Sequence, residues 1–295
     1  MEFPDSRAHV RFIPLPRVHA IPLIREVDGS LLDLLGALAP GEWDRRAGRT
    51  WTVRDVAAHL LDTSLRRLSL DRDRQPPPTG EHAVRTFTEL VDFLDDLNAT
   101  WIAAARRLSP ATIVDLLAHV QPQVTAHFET LDPDAAAPFP VSWAGEDADK
   151  AWLDVAREYT EKWHHQQQIR EAVGAPGIDT PHFLAPLLGT FARALPRAYE
   201  EAAAPPGTTV LATVPDVDGC SWLLERTAGR WRLRTPDPAV PAAAAVQVPA
   251  ATARRVFTAS IDAAHALRAA TTEGPDALTS PFFRTVAVMR HGTAR

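Results

Sequence analysis

The chain has 295 residues, which at ordinary domain sizes makes two domains rather than one. Hydrophobic residues make up 45% of it, enough for a real core and too many for a disordered chain. A net charge of −6 argues against nucleic acid as the main partner, the absence of an apolar run of about 20 residues argues against a membrane span, and a single cysteine, Cys220, excludes intrachain disulfides and zinc sites built from several cysteines. No long apolar segment stands near the N-terminus, so a cytoplasmic location is expected.

Met1 to Ala20 carries several prolines and little periodicity, and reads as an extended arm. Ile24, Val27, Leu31, Leu34, Leu35 and Leu38 recur at helical spacing, so a first helix is expected over Leu23–Leu38, ending before Pro40-Gly41. Trp51-Thr52-Val53-Arg54-Asp55 opens a second, with Thr52 and Asp55 spaced as a capping box. Its core stripe is Val53, Val56, Ala57, Leu60, Ser64 and Leu68, with His59 at the margin. Arg66, Arg67, Arg72 and Arg74 form a basic flank, read as a solvated face or, more sharply, as a carboxylate-binding rim. Residues 75–80, with three consecutive prolines, break the pattern as a flap.

Thr86 and Glu89 cap a third helix, expected to run to Leu108. Ser109-Pro110 starts a fourth, which Pro122 should kink or shorten. A Pro- and Asp-rich loop follows over 131–147. A long helix is then expected from Asp147 to Gly174, with Trp152, Val155, Tyr159, Trp163, Ile169 and Val173 on its apolar face. Another runs from Pro181 to about Ala203, bent at Pro186 and Pro196.

The small-residue stretch Ala202 to Gly207 is the expected domain boundary, giving domains 1–204 and 205–295. Beyond it the period changes to that of strands: 208–214, Trp222–Arg226, Trp231–Arg234 and Ala245–Val248, the middle two joined as a hairpin through Ala228-Gly229-Arg230. Ala250–Ala270 reads as a helix, and Phe282–Met289 as a last strand or helix. The expected class is α+β: a helical bundle followed by a small sheet layered with helices.

Glu161 and His165 stand four apart on the long helix and so stack on one face, one turn apart. By itself such a pair is usually a surface or structural contact. If the helices form a bundle, His59 is the candidate third donor, and two imidazoles with a carboxylate make a catalytic-type metal set suited to zinc, iron or nickel. Gln168 lies one turn beyond His165 and is expected to hydrogen-bond a ligand or substrate. His164 and Trp51, Trp152 and Trp163 read as packing residues. No P-loop, dinucleotide-binding glycine motif, nucleophile elbow or zincin motif occurs.

Residues 51–60, Trp-Thr-Val-Arg-Asp-Val-Ala-Ala-His-Leu, resemble the first signature of the DinB-like bundles in their mycothiol-dependent maleylpyruvate isomerase branch. Glu161 and His165, followed by Ile169-Arg170 and Gly174, are similar to the second. The C-terminal part resembles the sterol-carrier-like domain attached to that branch. The resemblance implies an up-and-down four-helix core and a divalent metal, zinc above all, held by His59, Glu161 and His165, which are then the catalytic residues. It also implies mycothiol as a thiol cofactor. Gln168 and an arginine of the second domain, Arg268 or Arg284, are the cofactor-binding candidates. Many relatives carry an acidic residue where Gln168 stands, and the Pro-Gly that often precedes the first signature is Gly48-Arg49-Thr50 here.

The expected function is an isomerase or S-transferase acting on a small electrophile through a metal-activated thiolate. The alternatives are a metal-dependent hydrolase or biosynthetic tailoring enzyme that uses metal-bound water, and a non-catalytic ligand-binding bundle. The expected partners are the small-molecule substrate and the thiol, with no nucleic acid and no membrane, in a monomer or homodimer.

Overall fold

The computed structural model describes residues 13–48, 50–76 and 85–289, so most of the expected arm and of the 75–80 break lie outside the described residues. The chain forms two compact units: residues 18–142 and 147–190, with Met289, make up a helical unit, and residues 13–17, 143–146 and 191–288 a mixed one. The main division, between Thr190 and Phe191, precedes the Ala202–Gly207 stretch.

In the helical unit, α1 (Ala20–Gly36) buries Leu23, Ile24, Val27, Leu31 and Leu35. It takes in Pro22 because the first turn needs no N–H partner there. A two-residue ribbon, β1 (Arg46–Ala47) and β2 (Trp51–Thr52), precedes α2 (Val53–Arg66). The capping box forms: Asp55 N donates to Thr52 Oγ1 at 3.2 Å, and Thr52 N to Asp55 Oδ2 at 3.1 Å. α2 continues into a π-helical segment, Arg67–Arg72, that buries Arg67, Leu68 and Asp71.

α3 (Phe87–Ala105) has the expected Thr86/Glu89 box but buries only Val91, Ile102 and Ala105, as a helix lying outside the core and packed on α2. α4 (Pro110–Glu129) is capped by Ser109, whose Oγ accepts from Thr112 N at 3.2 Å. It continues past Pro122 and is 20 residues long, so the proline does not shorten it. Proline removes one helical hydrogen bond, but Val120, Val124 and Phe128 keep the apolar face buried on both sides of it.

α5 (Ala151–Val173) closes at Gly174, whose φ of +72° is the left-handed conformation that favours glycine. It cannot begin at Asp147, as expected, because Asp147 itself has a φ of +58°. α1 and α2 each pack against both α4 and α5, and these four helices form the bundle core. α6 (Pro181–Phe191) follows, with Pro186 inside it.

Two buried charge clusters sit in this core. Lys162 Nζ donates to Asp28 Oδ1 at 2.8 Å, tying α5 to α1. Arg67 grips Asp154 through both Nη atoms, at 2.7 and 2.6 Å, and Glu158 through Nε at 3.1 Å. Its guanidinium lies 4.9 Å from the Phe139 ring centroid. Arg67 is therefore neither a solvated flank nor a rim but an internal cation, 4% exposed.

In the mixed unit the helix expected over Pro181–Ala203 breaks after α6 into a 3-10 turn, Ala192–Ala194, and α7 (Leu195–Ala198), with Pro196 in α7's first turn. The sheet contains β3 (Thr209–Thr213), β4 (Ser221–Arg226), β5 (Trp231–Arg234), β6 (Ala244–Gln247) and β7 (Thr271–Glu273), in the order β5-β4-β3-β6-β7. β3 and β6 are parallel and the other pairs antiparallel. Val210, Ala212, Leu224 and Val246 are fully buried in it.

The helix expected over 250–270 divides into α8 (Ala250–Phe257) and α9 (Ala263–Arg268). Ala259 has a φ of +48°, which a helix cannot hold, and Asp262 caps α9 by accepting from His265 N at 2.8 Å. After α10 (Asp276–Thr279), a 3-10 turn, Ser280–Arg284, buries Phe282 and Phe283, and no strand forms after it among the described residues. The class is α+β. Among the described residues no helix is long and apolar enough to cross a membrane.

Candidate metal centre

His59 comes from the middle of α2, and Glu161 and His165 from successive turns of α5. Two contacts fix how these helices run: His59 meets Glu161, and Arg67, further along α2, meets Asp154, earlier in α5. The helices are therefore antiparallel. Both imidazoles converge on one atom: His59 Nε2 and His165 Nε2 each lie 3.1 Å from Glu161 Oε1. One donor atom from each residue lies within 4.8 Å of the other two. The rings are 4.7 Å apart, edge to face.

Burial pushes the His59 imidazole below its ordinary value, against the pull of Glu161. Burial alone would raise the Glu161 carboxyl, but the His165 charge and the hydrogen bonds from both rings outweigh it and hold the group well below the usual carboxylate range. Desolvation would lower the part-buried His165 too, yet Glu161 and Gln168 hold it above its ordinary value.

The donor set suits a divalent ion. Two ring nitrogens aimed at one carboxylate oxygen need a proton or a cation between each of them and it, and a single divalent ion can serve both. Two imidazoles and a carboxylate accept zinc, iron or nickel, and three protein donors leave a further coordination position for a ligand from solution.

Gln168, expected to face a ligand or substrate, engages neighbours with both ends of its amide. Its Oε1 is 2.9 Å from His165 Nδ1 and its Nε2 3.1 Å from His164 Nε2. His164 is thus a polar partner as well as a packing residue. Trp152 and Trp163 are core, as expected, with 6% and 0% exposure. Trp51 is different: its ring lies 4.9 Å from that of His59 and 5.9 Å from that of His165. The ribbon that carries Trp51 is two residues a side, too short for any periodicity to reveal. Arg268 and Arg284 lie in the mixed unit, both exposed, at the ends of α9 and of the last 3-10 turn.

Residues 24–170 match the family model for the mycothiol maleylpyruvate isomerase N-terminal domain. Solved structures that match include the mycothiol-dependent maleylpyruvate isomerase, at 15% identity and a TM-score of 0.48, over 82% of this chain and 88% of that one. A histidine-to-alanine mutant of the same protein matches at 14% identity, with the same TM-score and the same coverage. No curated protein matches the chain in sequence.

Proposed function

Residues 24–170 belong to the mycothiol maleylpyruvate isomerase N-terminal domain family, and from that premise we propose that the chain is a thiol-dependent isomerase or S-transferase that acts on a small electrophile at a divalent metal centre. The observation that carries the reading is the convergence of His59 Nε2 and His165 Nε2 on Glu161 Oε1. His59, Glu161 and His165 would hold the ion. When bound, the ion and mycothiol supply a thiolate at neutral pH, the nucleophile needed to add to an activated double bond and leave again after rotation.

The chain's own residues arrange this chemistry. Glu161, held ionised, offsets part of the ion's charge. His59 is 4% exposed and packed under Trp51, so one side of the centre is closed to water. The thiol must come from outside: Cys220 is buried, its thiol is pushed up to about 12, and it belongs to the other unit. A cytoplasmic enzyme fits this reading, since a low-molecular-weight thiol is kept reduced there.

The test is metal analysis followed by assay of cis–trans isomerisation, or of thiol transfer, with and without mycothiol. The expected result is about one divalent ion per chain, lost on His59→Ala, and turnover that needs both ion and thiol. Turnover with the ion but no thiol would overturn the thiol-dependent part of the reading. A wild type that takes up no ion would leave a ligand-binding bundle.

A further inference from the structure

We propose that Gln168 is a positioning residue for the metal centre, and that His164 locks Gln168 in the orientation this requires. The inference rests on the metal reading above and adds a division of labour among residues that the reading leaves open.

An imidazole meets two conditions when it is a good ligand. A histidine that coordinates through Nε2 must be neutral, with its proton on Nδ1, and its ring must not swing. An acceptor on Nδ1 meets both needs. Of the two histidines here, only His165 has one among the described residues. Its Nδ1 faces Gln168 Oε1 at 2.9 Å, while its Nε2 points to Glu161. Among the described residues His59 Nδ1 is buried with no hydrogen-bond partner. His59 is fixed by packing: it is 4% exposed and its ring lies 4.9 Å from that of Trp51. One ligand is held by a hydrogen bond and the other by walls.

A glutamine is an ambiguous holder, because its amide presents an acceptor one way round and a donor the other. If Nε2 faced His165, the donor would force the proton off Nδ1 and onto the nitrogen that must coordinate. A partner at the other end of the amide can decide between the two. Gln168 Nε2 lies 3.1 Å from His164 Nε2, a ring nitrogen that accepts when His164 carries its proton on Nδ1. Flipping the amide would then set its oxygen against that acceptor, so both ends of the amide favour one orientation. The turn before β2 passes beside this amide: Gly48 has a φ of +79°, and a Cβ there would lie in ordinary contact, 3.5 Å from Gln168 Nε2. His164 and His165 are adjacent in sequence, and Gln168 stands four and three residues further on, so one helical turn carries the lock, the holder and the ligand.

Glutamine rather than a carboxylate has a second effect. A carboxylate on Nδ1 would draw the proton harder and make His165 a more basic ligand, and it would add a negative charge beside Glu161. A neutral amide leaves a bound divalent ion with only one carboxylate against it, and so more electron-poor. It orients His165 without weakening the ion's pull on a further ligand.

The experiment uses full-length protein, zinc as the probe, competition with a chromophoric chelator for affinity, and nitrogen-15 NMR of the histidine side chains in the zinc-loaded state. The expected wild-type result is a slowly exchanging His165 Nδ1–H. Gln168→Ala should lose that protection and weaken zinc binding about 10–100-fold. Gln168→Glu should restore both and bind zinc at least as tightly as wild type. His164→Ala should loosen the Nδ1–H with a smaller loss of affinity in the same direction. Far-ultraviolet circular dichroism checks that each variant folds, and the Glu variant serves if the Ala variant does not. Equal zinc affinity and equal Nδ1–H protection in wild type and Gln168→Ala would overturn this inference alone. A wild type that takes up no zinc would overturn the metal reading, and this inference with it.

Discussion

Arg67 and Asp154 meet in a two-pronged pair, Nη1 to Oδ2 at 2.7 Å and Nη2 to Oδ1 at 2.6 Å, between side chains 4% and 1% exposed. The pair joins α2 to α5 about two helical turns from His59 and Glu161. Glu158 takes the third guanidinium edge, and Arg157 donates to Asp154 at 2.8 Å, so the charges are shared out within the core.

Removing the cation alone should be costly. Arg67→Met leaves Asp154 and Glu158 buried without their main partner, and the expected loss is about 3–5 kcal/mol, read as a lower urea midpoint. The double variant Arg67→Met/Asp154→Leu should recover part of that loss, because an apolar pair leaves no orphaned charge. A single variant as stable as wild type would mean the pair contributes nothing.

The same pair sets an acid limit. Burial raises the Asp154 carboxyl, but the charges and hydrogen bonds of Arg67 and Arg157 outweigh it, so its value in the folded chain is depressed. A depressed carboxylate adds stability above its unfolded value, about 3.9, and that stability is lost as pH falls from there through the lower folded value. Unfolding midpoints measured from pH 6 down to 2 should fall steeply below about 4 in wild type. Asp154→Asn, less stable throughout, should show a shallower fall. Parallel curves would rule the linkage out.

Gly174 should resist substitution for reasons of backbone alone. It caps α5 at a φ of +72°, and a Cβ there would meet nothing within 4 Å. Gly174→Ala should therefore cost about 1–2 kcal/mol, with Gly174→Asn milder because asparagine tolerates that conformation. Thermal unfolding of the three proteins checks the order.

Trp51 should report the ion. Its ring is 4.9 Å from that of His59 and 5.9 Å from that of His165. Nickel, an open-shell ion, should quench part of the tryptophan fluorescence of wild type. Trp51→Phe should lose most of that drop while nickel still binds by calorimetry. An unchanged drop in the variant would mean other indoles carry the signal.

What the sequence made legible was chiefly local chemistry. The Thr52/Asp55 and Thr86/Glu89 boxes, the Ser109-Pro110 start and the Gly174 stop all formed, because each satisfies its own backbone groups within a few residues. Spacing on one helix brought Glu161 and His165 together, and the signature around Trp51 to Leu60 pointed to His59. What failed to read was tertiary. An arginine in a run of arginines looks solvated until Asp154 and Glu158 arrive from 87 and 91 positions away. β7 escaped notice because Thr271, Thr272 and Glu273 are all exposed and have no apolar alternation to reveal a strand. The break at Ala259 has no glycine or proline to mark it. Spacing puts Gln168 on the donor face one turn beyond His165, but nothing in its own position tells which neighbours its amide meets.

The origin of the three donors has a mechanical consequence. Glu161 and His165 ride on one rigid rod, so their separation is set by helical rise and scarcely changes. His59 arrives from 102 positions upstream on a second rod. The geometry of the centre therefore depends largely on one coordinate, the sliding of α2 along α5, and the Arg67 clamp opposes that slip. A substitution that leaves every donor in place can still spread the triad by moving one rod past the other.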